Sequence, residues 1–298
     1  MFKPNRYCIL GAILIFTALL SVRAWPEDGA ASGPEDGKPV AHLGKWWERS
    51  PYGYAPIHRE WLTHLEGTLS YQKYDGGSEG CLFQAGAGFV LRKSRWTNFL
   101  TYHHEEHDID YGGYRGSVDT ERYILSESIR FDFNEWCYSM MGAVKQKDDN
   151  FHIDDRIIMY GGFGVNFEPS KAHILHAFAA YGLQDAELEY PDPGMPGETV
   201  TEEETNGGGY FEAGWVWNVT PQICFSAKGS YLDFDEDLDT QKYENLSWNM
   251  KMGFEIHVSK HVSVELGYEV RYEENRAIEI SDTKRRQAIQ AVGVKIGF

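Results

Sequence analysis

The 298-residue chain carries 28 Lys and Arg against 45 Asp and Glu, a net charge of −17, and so acidic a balance excludes nucleic-acid phosphate as a partner. At 42% hydrophobic and 14% aromatic it is too apolar for disorder, yet its charges are spread so evenly that no run beyond the N-terminus could form a membrane helix. The length fits one large domain or two ordinary ones.

Residues 1–24 read as a signal peptide: Lys3 and Arg6 precede an apolar stretch from Cys8 to Val22, and Val22-Arg23-Ala24 is a small-residue cleavage site. Cleavage before Trp25 removes three cations and no acid, so the mature chain is more acidic still. Residues 25–57 form a Pro/Gly-rich leader in which PEDG occurs at 26–29 and again at 34–37, followed by Trp46-Trp47. Residues 58–298 are the remaining domain. Its cysteines, Cys81, Cys137 and Cys224, are odd in number and far apart, which suits buried or lipid-facing small residues better than a disulfide framework or zinc site.

From Trp61 onward the apolar residues recur at every second position, in runs bounded by Gly, Asp, Asn, Ser and Pro, so the domain is all-β. Twelve strands follow. The first places Trp61, Leu65, Leu69 and Tyr71 on one face; the second Phe83, Ala85, Ala87, Phe89 and Leu91; the third, near 95–103, has no clear phase. Tyr123, Leu125, Ile129, Phe131 and Phe133 mark the fourth, Trp136, Tyr138 and Met140 the fifth, and Ile157, Met159, Phe163, Val165 and Phe167 the sixth. Leu175 to Leu183, Phe211 to Trp217 and Ile223 to Tyr231 mark the next three. Leu246 to Ile256, Val262 to Tyr272 and Ala288 to Phe298 are the last three. The opposite faces hold Gln84, Arg130, Asp132, Lys145, Asn166, Glu212, Lys228, Lys251, Glu255, Glu265, Glu269, Arg271 and Lys295.

Alternation fits a soluble sandwich or a membrane barrel equally, because it does not say which face meets water. Connection lengths separate them. Links after even-numbered strands are short, around 92–95, 134–135, 168–172, 219–222 and 258–261, while those after odd-numbered strands are longer, reaching 184–206. Alternating short turns and long loops describe an antiparallel up-and-down transmembrane β-barrel with periplasmic turns and extracellular loops. Trp96, Trp136, Phe167, Trp217 and Phe298, beside the short turns, suit an interfacial girdle. Glu127 and Asn98 stand in the apolar phase, where a bulge or a shift of register would be needed to turn them inward.

The chain ends VGVKIGF, its terminal Phe298 in phase with Val292, Val294 and Ile296, preceded by YEVRYEENRAIEISDTKRRQ; MYGGFGVNF occupies 159–167. Over about residues 60–298 the sequence resembles the YdiY-like family of salt-induced outer-membrane proteins, departing from it at DGGSEG (75–80), where the family has a Gly-Asn-Thr turn. The resemblance implies an integral bacterial outer-membrane barrel among lipid and lipopolysaccharide, assembled through a C-terminal aromatic signal, here Phe298, and brings no catalytic residues.

Three constellations could carry chemistry. YHHEEHDIDY (102–111) puts His103, Glu105 and His107 on one face of a strand and His104, Glu106 and Asp108 on the other, ligand types suited to a transition metal. Asp233, Asp235, Asp237, Asp239 and Glu244 follow the spacing of an EF-hand loop but have Leu238 where Gly belongs, so the expectation is loose Ca²⁺ or Mg²⁺ binding centred on Asp235, Asp237 and Asp239. More than half of the 45 acids lie in the expected long loops, which favours such cations beside anionic lipid. His261-Val262-Ser263 is similar to the His-x-Ser pair of outer-membrane phospholipases, but it sits at a short turn and lacks an Asn partner. The reading is therefore a monomeric, porin-like barrel without catalytic residues or a tightly bound cofactor, either a narrow channel or an envelope-structural protein. A surface adhesin or ligand-binding barrel, and then a lipid hydrolase, are the alternatives.

Overall fold

The computed structural model describes residues 53–54, 57–74, 79–110, 117–170, 172–192, 194–195, 197–237, 245–259, 261–275, 277–278 and 286–297. The strands are β1 (His58–Tyr74), β2 (Glu79–Ser94), β3 (Trp96–Asp110), β4 (Ser117–Asp132), β5 (Cys137–Asp148), β6 (Ile153–Ser170), β7 (His173–Pro191), β8 (Thr199–Thr220), β9 (Ile223–Asp237), β10 (Asn245–His257), β11 (Val262–Glu274) and β12 (Arg286–Gly297). Each pairs antiparallel with its neighbours in the chain and β1 closes on β12, giving the expected twelve-stranded up-and-down barrel. The closing seam pairs Glu66 with Gly297 through Ser70 with Gly293, and an ion pair between Lys295 and Glu66 at 3.1 Å crosses it.

The barrel is apolar outside and polar within. Phe163 is 69% exposed, and Leu65, Leu69, Met141, Tyr181 and Val292 are comparably open on the outer wall. Arg92, Glu105, Arg130, Asp132, Asp148 and Arg271, by contrast, are among the most deeply buried residues. In water this distribution would expose the apolar wall at great cost; in lipid it is the stable one. Trp96 packs on Phe131 at 4.7 Å between ring centroids and Trp136 on Phe167 at 6.5 Å, so aromatic pairs ring the end of the barrel that carries the short turns. There, polar side chains replace missing backbone partners: Asn134 Oδ1 accepts from the N–H groups of Trp136 and Cys137, and Ser259 Oγ from those of His261 and Val262.

The structure corrects three expectations. Tyr138 and Met140 face the lumen instead of the outer wall, and Tyr138 is only 1% exposed, stacked on Phe178 with the Arg130 guanidinium 3.8 Å from its ring centroid. Gly164 makes room for that ring, since a Cβ there would overlap Tyr138. Lys145, in the opposite phase, consequently points outward and pairs with Asp155 at 3.2 Å. The expected loop 184–206 is mostly strand: β7 runs on to Pro191, β8 starts at Thr199, and 192–198 alone makes the turn, with Asp192 Oδ1 accepting from Gly194 N–H at 2.7 Å.

Asn98 and Glu127 keep the outward phase, without the shift in register that would turn them inward. They meet each other instead: Asn98 Nδ2 donates to Glu127 Oε1 at 3.0 Å, and Glu127 is 8% exposed. A buried polar group costs most when one partner is removed, so Glu127→Leu alone should destabilise the barrel by about 1–3 kcal/mol, whereas Asn98→Leu combined with Glu127→Leu should return it to within about 1 kcal/mol of the parent. Urea unfolding of the detergent-refolded protein measures both.

Cys81, Cys137 and Cys224 are free thiols, and Cys224 is buried with Ile174 and Val216 near the short turns. Of the leader, Gly53 is buried against Ile174, where a Cβ would lie 3.0 Å from its Cδ1. The signal segment, Trp46-Trp47 and Phe298 lie outside the described residues.

Candidate functional site in the barrel lumen

Lumen-facing positions recur every second residue, so each strand contributes polar groups at successive heights, and the barrel brings together charges far apart in sequence. Near the short turns, Asp132 accepts from Arg92 at 3.1 Å and from Arg130 at 2.8 Å, and Arg92 also donates to Thr97 Oγ1 at 2.6 Å. Tyr138, Tyr160, Phe178 and Tyr210 fill the lumen beside β5 to β8, with Tyr160 and Tyr210 stacked at 4.9 Å.

Higher up, Glu105 is the hub. Its Oε2 accepts from Arg271 Nη1 at 2.7 Å; its Oε1 accepts from a second nitrogen of Arg271, from Gln84 Nε2 at 2.9 Å and from Arg122 Nη1 at 3.4 Å, and meets His103 Nε2 at 2.7 Å. Arg271 stands on β11 and Glu105 on β3, four strands round the wall, so the bridge crosses the lumen. Arg271 Nε also holds Glu269 at 2.6 Å, and Arg122 Nε lies 3.0 Å from Asp148. A second bridge lies further from the short turns, where Arg156 on β6 donates to both oxygens of Glu273 on β11, Nη1 to Oε1 at 2.6 Å, and to Gln146 at 3.0 Å. β6 and β11 stand on nearly opposite walls.

Beyond the Glu273 bridge, apolar side chains turn inward. Ala277 and Ile278, in the β11–β12 connection, pack on Phe151, Ile153, Ala186, Leu188 and Tyr190. Asn275 ties this segment down, donating from Nδ2 to the Phe151 carbonyl at 3.1 Å and accepting on Oδ1 from Ile278 N–H at 3.0 Å. Burial also holds the nearby His152 imidazole below its ordinary pKa, so it favours the neutral form. On the short-turn side of the Glu105 bridge lies a cavity of about 480 Å³, walled partly by Thr68, Gly86, Thr101, Lys251, Glu265 and Lys295. Among the described residues, ion pairs and an apolar cluster thus lie over one end of a chamber lined by charged and polar side chains.

The residues singled out from the sequence fall in different places. His103, Glu105 and His107 share the lumen face as expected, but the Glu105 carboxylate is taken by guanidinium groups, and no metal-holding group of His, Cys, Asp and Glu occurs among the described residues. His104 pairs on the outer face with Glu106 at 3.1 Å. Asp235 and Asp237 lie at the end of β9, where their side chains are not described, and Asp239 lies outside the described residues. His261 and Ser263 have separate partners: His261 Nδ1 meets the Gly297 carbonyl at 2.9 Å, while Ser263 Oγ donates to Glu255 at 2.7 Å. The bridges through Arg122, Arg156 and Glu273 went unread in the sequence. Their signal is charge at alternate positions, which any solvated strand also shows.

Residues 68–289, most of this barrel, match one family throughout. The chain belongs to the family described as "Protein of unknown function, DUF481". That family agrees with the resemblance read from the sequence. Among solved structures, the NanC porin is similar with a TM-score of 0.42 and 9% identity, over 79% of this chain and 98% of that one. The translocator domain of the autotransporter NalP from Neisseria meningitidis has a TM-score of 0.42 and 12% identity, over 80% and 88%. A FadL homologue from Pseudomonas aeruginosa has a TM-score of 0.42 and 11% identity, over 87% and 86%. No curated protein is significantly similar in sequence.

Proposed function

We propose that this family member is an integral outer-membrane barrel forming a narrow channel for small polar solutes, closed at rest by ion pairs that cross its lumen. The observation that carries the reading is the polar chamber of about 480 Å³ beneath the Arg271–Glu105 and Arg156–Glu273 bridges. A purely structural barrel gains nothing from leaving such a space and gains stability by filling it. The outward apolar wall and its aromatic ring favour the membrane location, with the short turns on the periplasmic side.

Planar-bilayer recording tests the reading. The parent protein should conduct rarely and in small steps, while Glu273→Gln, which weakens the bridge nearer the covered mouth, should raise the open probability several-fold. If neither the parent nor this variant conducts although both are correctly folded, the barrel is a structural element and the channel reading fails. Fractionation tests location, since recovery of the mature chain as a soluble periplasmic protein would exclude it from the membrane.

A further inference from the structure

Most of the charged side chains lining the chamber have a partner. Lys295 pairs with Glu66, Lys228 with Glu212 at 2.9 Å, Glu269 with Arg271, Arg122 with Glu105 and Asp148, and His103 with Glu105. Two differ. Lys251 on β10 and Glu265 on β11 both line the cavity, and among the described residues neither makes a hydrogen bond or an ion pair within 4 Å. The strand register explains why they miss each other. Lys251 stands opposite Glu269, which is already held by Arg271 and by Asn249 Nδ2 at 2.6 Å, while Glu265 stands opposite Glu255, so four residues of strand separate the two heights.

A cation and an anion that face one polar cavity without meeting form a complementary surface for a ligand with both charges. Neither has a direct contact partner among the described residues, so a ligand that supplies the opposite charge adds a charge-assisted hydrogen bond at each. The space suits a small molecule, since ligand pockets commonly run from about 300 to 1,000 Å³. Across the cavity, Thr68 and Thr101 offer hydroxyls, and glycine at 86 and 88 keeps the wall low.

We propose that the chamber binds a small zwitterion, its carboxylate on Lys251 and its ammonium group on Glu265. The inference deepens the channel reading by naming the solute class, but binding itself does not require the channel to open.

Calorimetry on the full-length, detergent-refolded protein tests this directly, with 4-aminobutyrate and 6-aminohexanoate as probes and hexanoate and hexylamine as singly charged controls. At least one zwitterion should bind about tenfold or more tightly than either control. Lys251→Gln and Glu265→Gln should each weaken it by about tenfold, and the exchange Lys251→Glu with Glu265→Lys should recover binding. Neither single variant removes a hydrogen bond or a close ion pair found among the described residues, and an unchanged urea midpoint verifies their folding. The proposal is overturned if no zwitterion outbinds the controls or if both variants bind as the parent does. Conductance without zwitterion binding leaves the channel standing and removes the site; binding without conductance does the reverse.

Discussion

Replacing Glu105 by alanine should lower the unfolding free energy of the refolded barrel by about 3–5 kcal/mol, the largest effect expected of any single lumen substitution. The carboxylate is fully buried and accepts from Arg271, Arg122 and Gln84, so its loss strands guanidinium groups where water has little access. Arg271 keeps Glu269 and Arg122 keeps Asp148, which bounds the loss. Removing both ends of the main bridge, Glu105→Ala with Arg271→Met, should cost less than Glu105→Ala alone, because no charge is left buried without its counterpart. Urea unfolding followed by tryptophan fluorescence measures all three proteins. A loss below about 1 kcal/mol for the single variant would mean that the bridge is solvated and does not hold the lumen closed.

The second large effect belongs to the outer wall. Leu266 is exposed near the middle of β11, between Phe254 of β10 and Val292 of β12. Leu266→Arg should destabilise the barrel in lipid vesicles by about 2–4 kcal/mol, the penalty for a cation near the bilayer midplane. Thr101→Arg, which opens on the chamber, should cost markedly less because the cation reaches water. Equal losses at the two positions would contradict the assignment of the outer wall to lipid.

Both experiments depend on which way a strand faces, and the sequence determined this wherever one environment covers a whole strand. In β10, β11 and β12 the odd and even positions separate apolar from charged side chains almost without exception, so Val264, Leu266 and Val294 were legible as outward, and Lys251, Glu265 and Lys295 as inward. The antiparallel up-and-down order was equally readable, although the connections differ less in length than the sequence suggests: 75–78 and 149–152, after odd-numbered strands, are no longer than 133–136 and 258–261.

The reading failed where a strand changes environment. Along β7 the apolar residues are Leu175, Ala177, Ala179, Tyr181 and Leu183 on the outer wall, then Ala186, Leu188 and Tyr190 facing inward. The apolar phase reverses as the strand leaves the lipid-facing zone, because its outer face then meets water and its inner face packs against Phe151 and Ile278. A reversal of phase looks like the end of a strand, which is why 184–206 reads as a loop. Tyr138 misleads for a related reason, since an aromatic ring lines a lumen as readily as it faces lipid once Gly164 and Phe178 provide its seat.

The candidate site was legible only in its ingredients. Alternation placed Lys251, Glu265 and Arg271 on polar faces, and Glu105 was read only as one member of the His and Glu stretch at 102–111, but period-2 patterning says nothing about how far the facing walls lie apart or which heights coincide across the lumen. Closure of β1 on β12 sets those distances. It brings Arg271 to Glu105, 166 residues away, and Arg156 to Glu273, 117 away, while leaving Lys251 and Glu265 four residues out of step on adjoining strands. Short-range chemistry along most strands thus determined the inside and outside of this barrel; only the closed structure decided which lumen charges pair with each other, because ion pairing depends on distances that the curvature and register of all twelve strands set together.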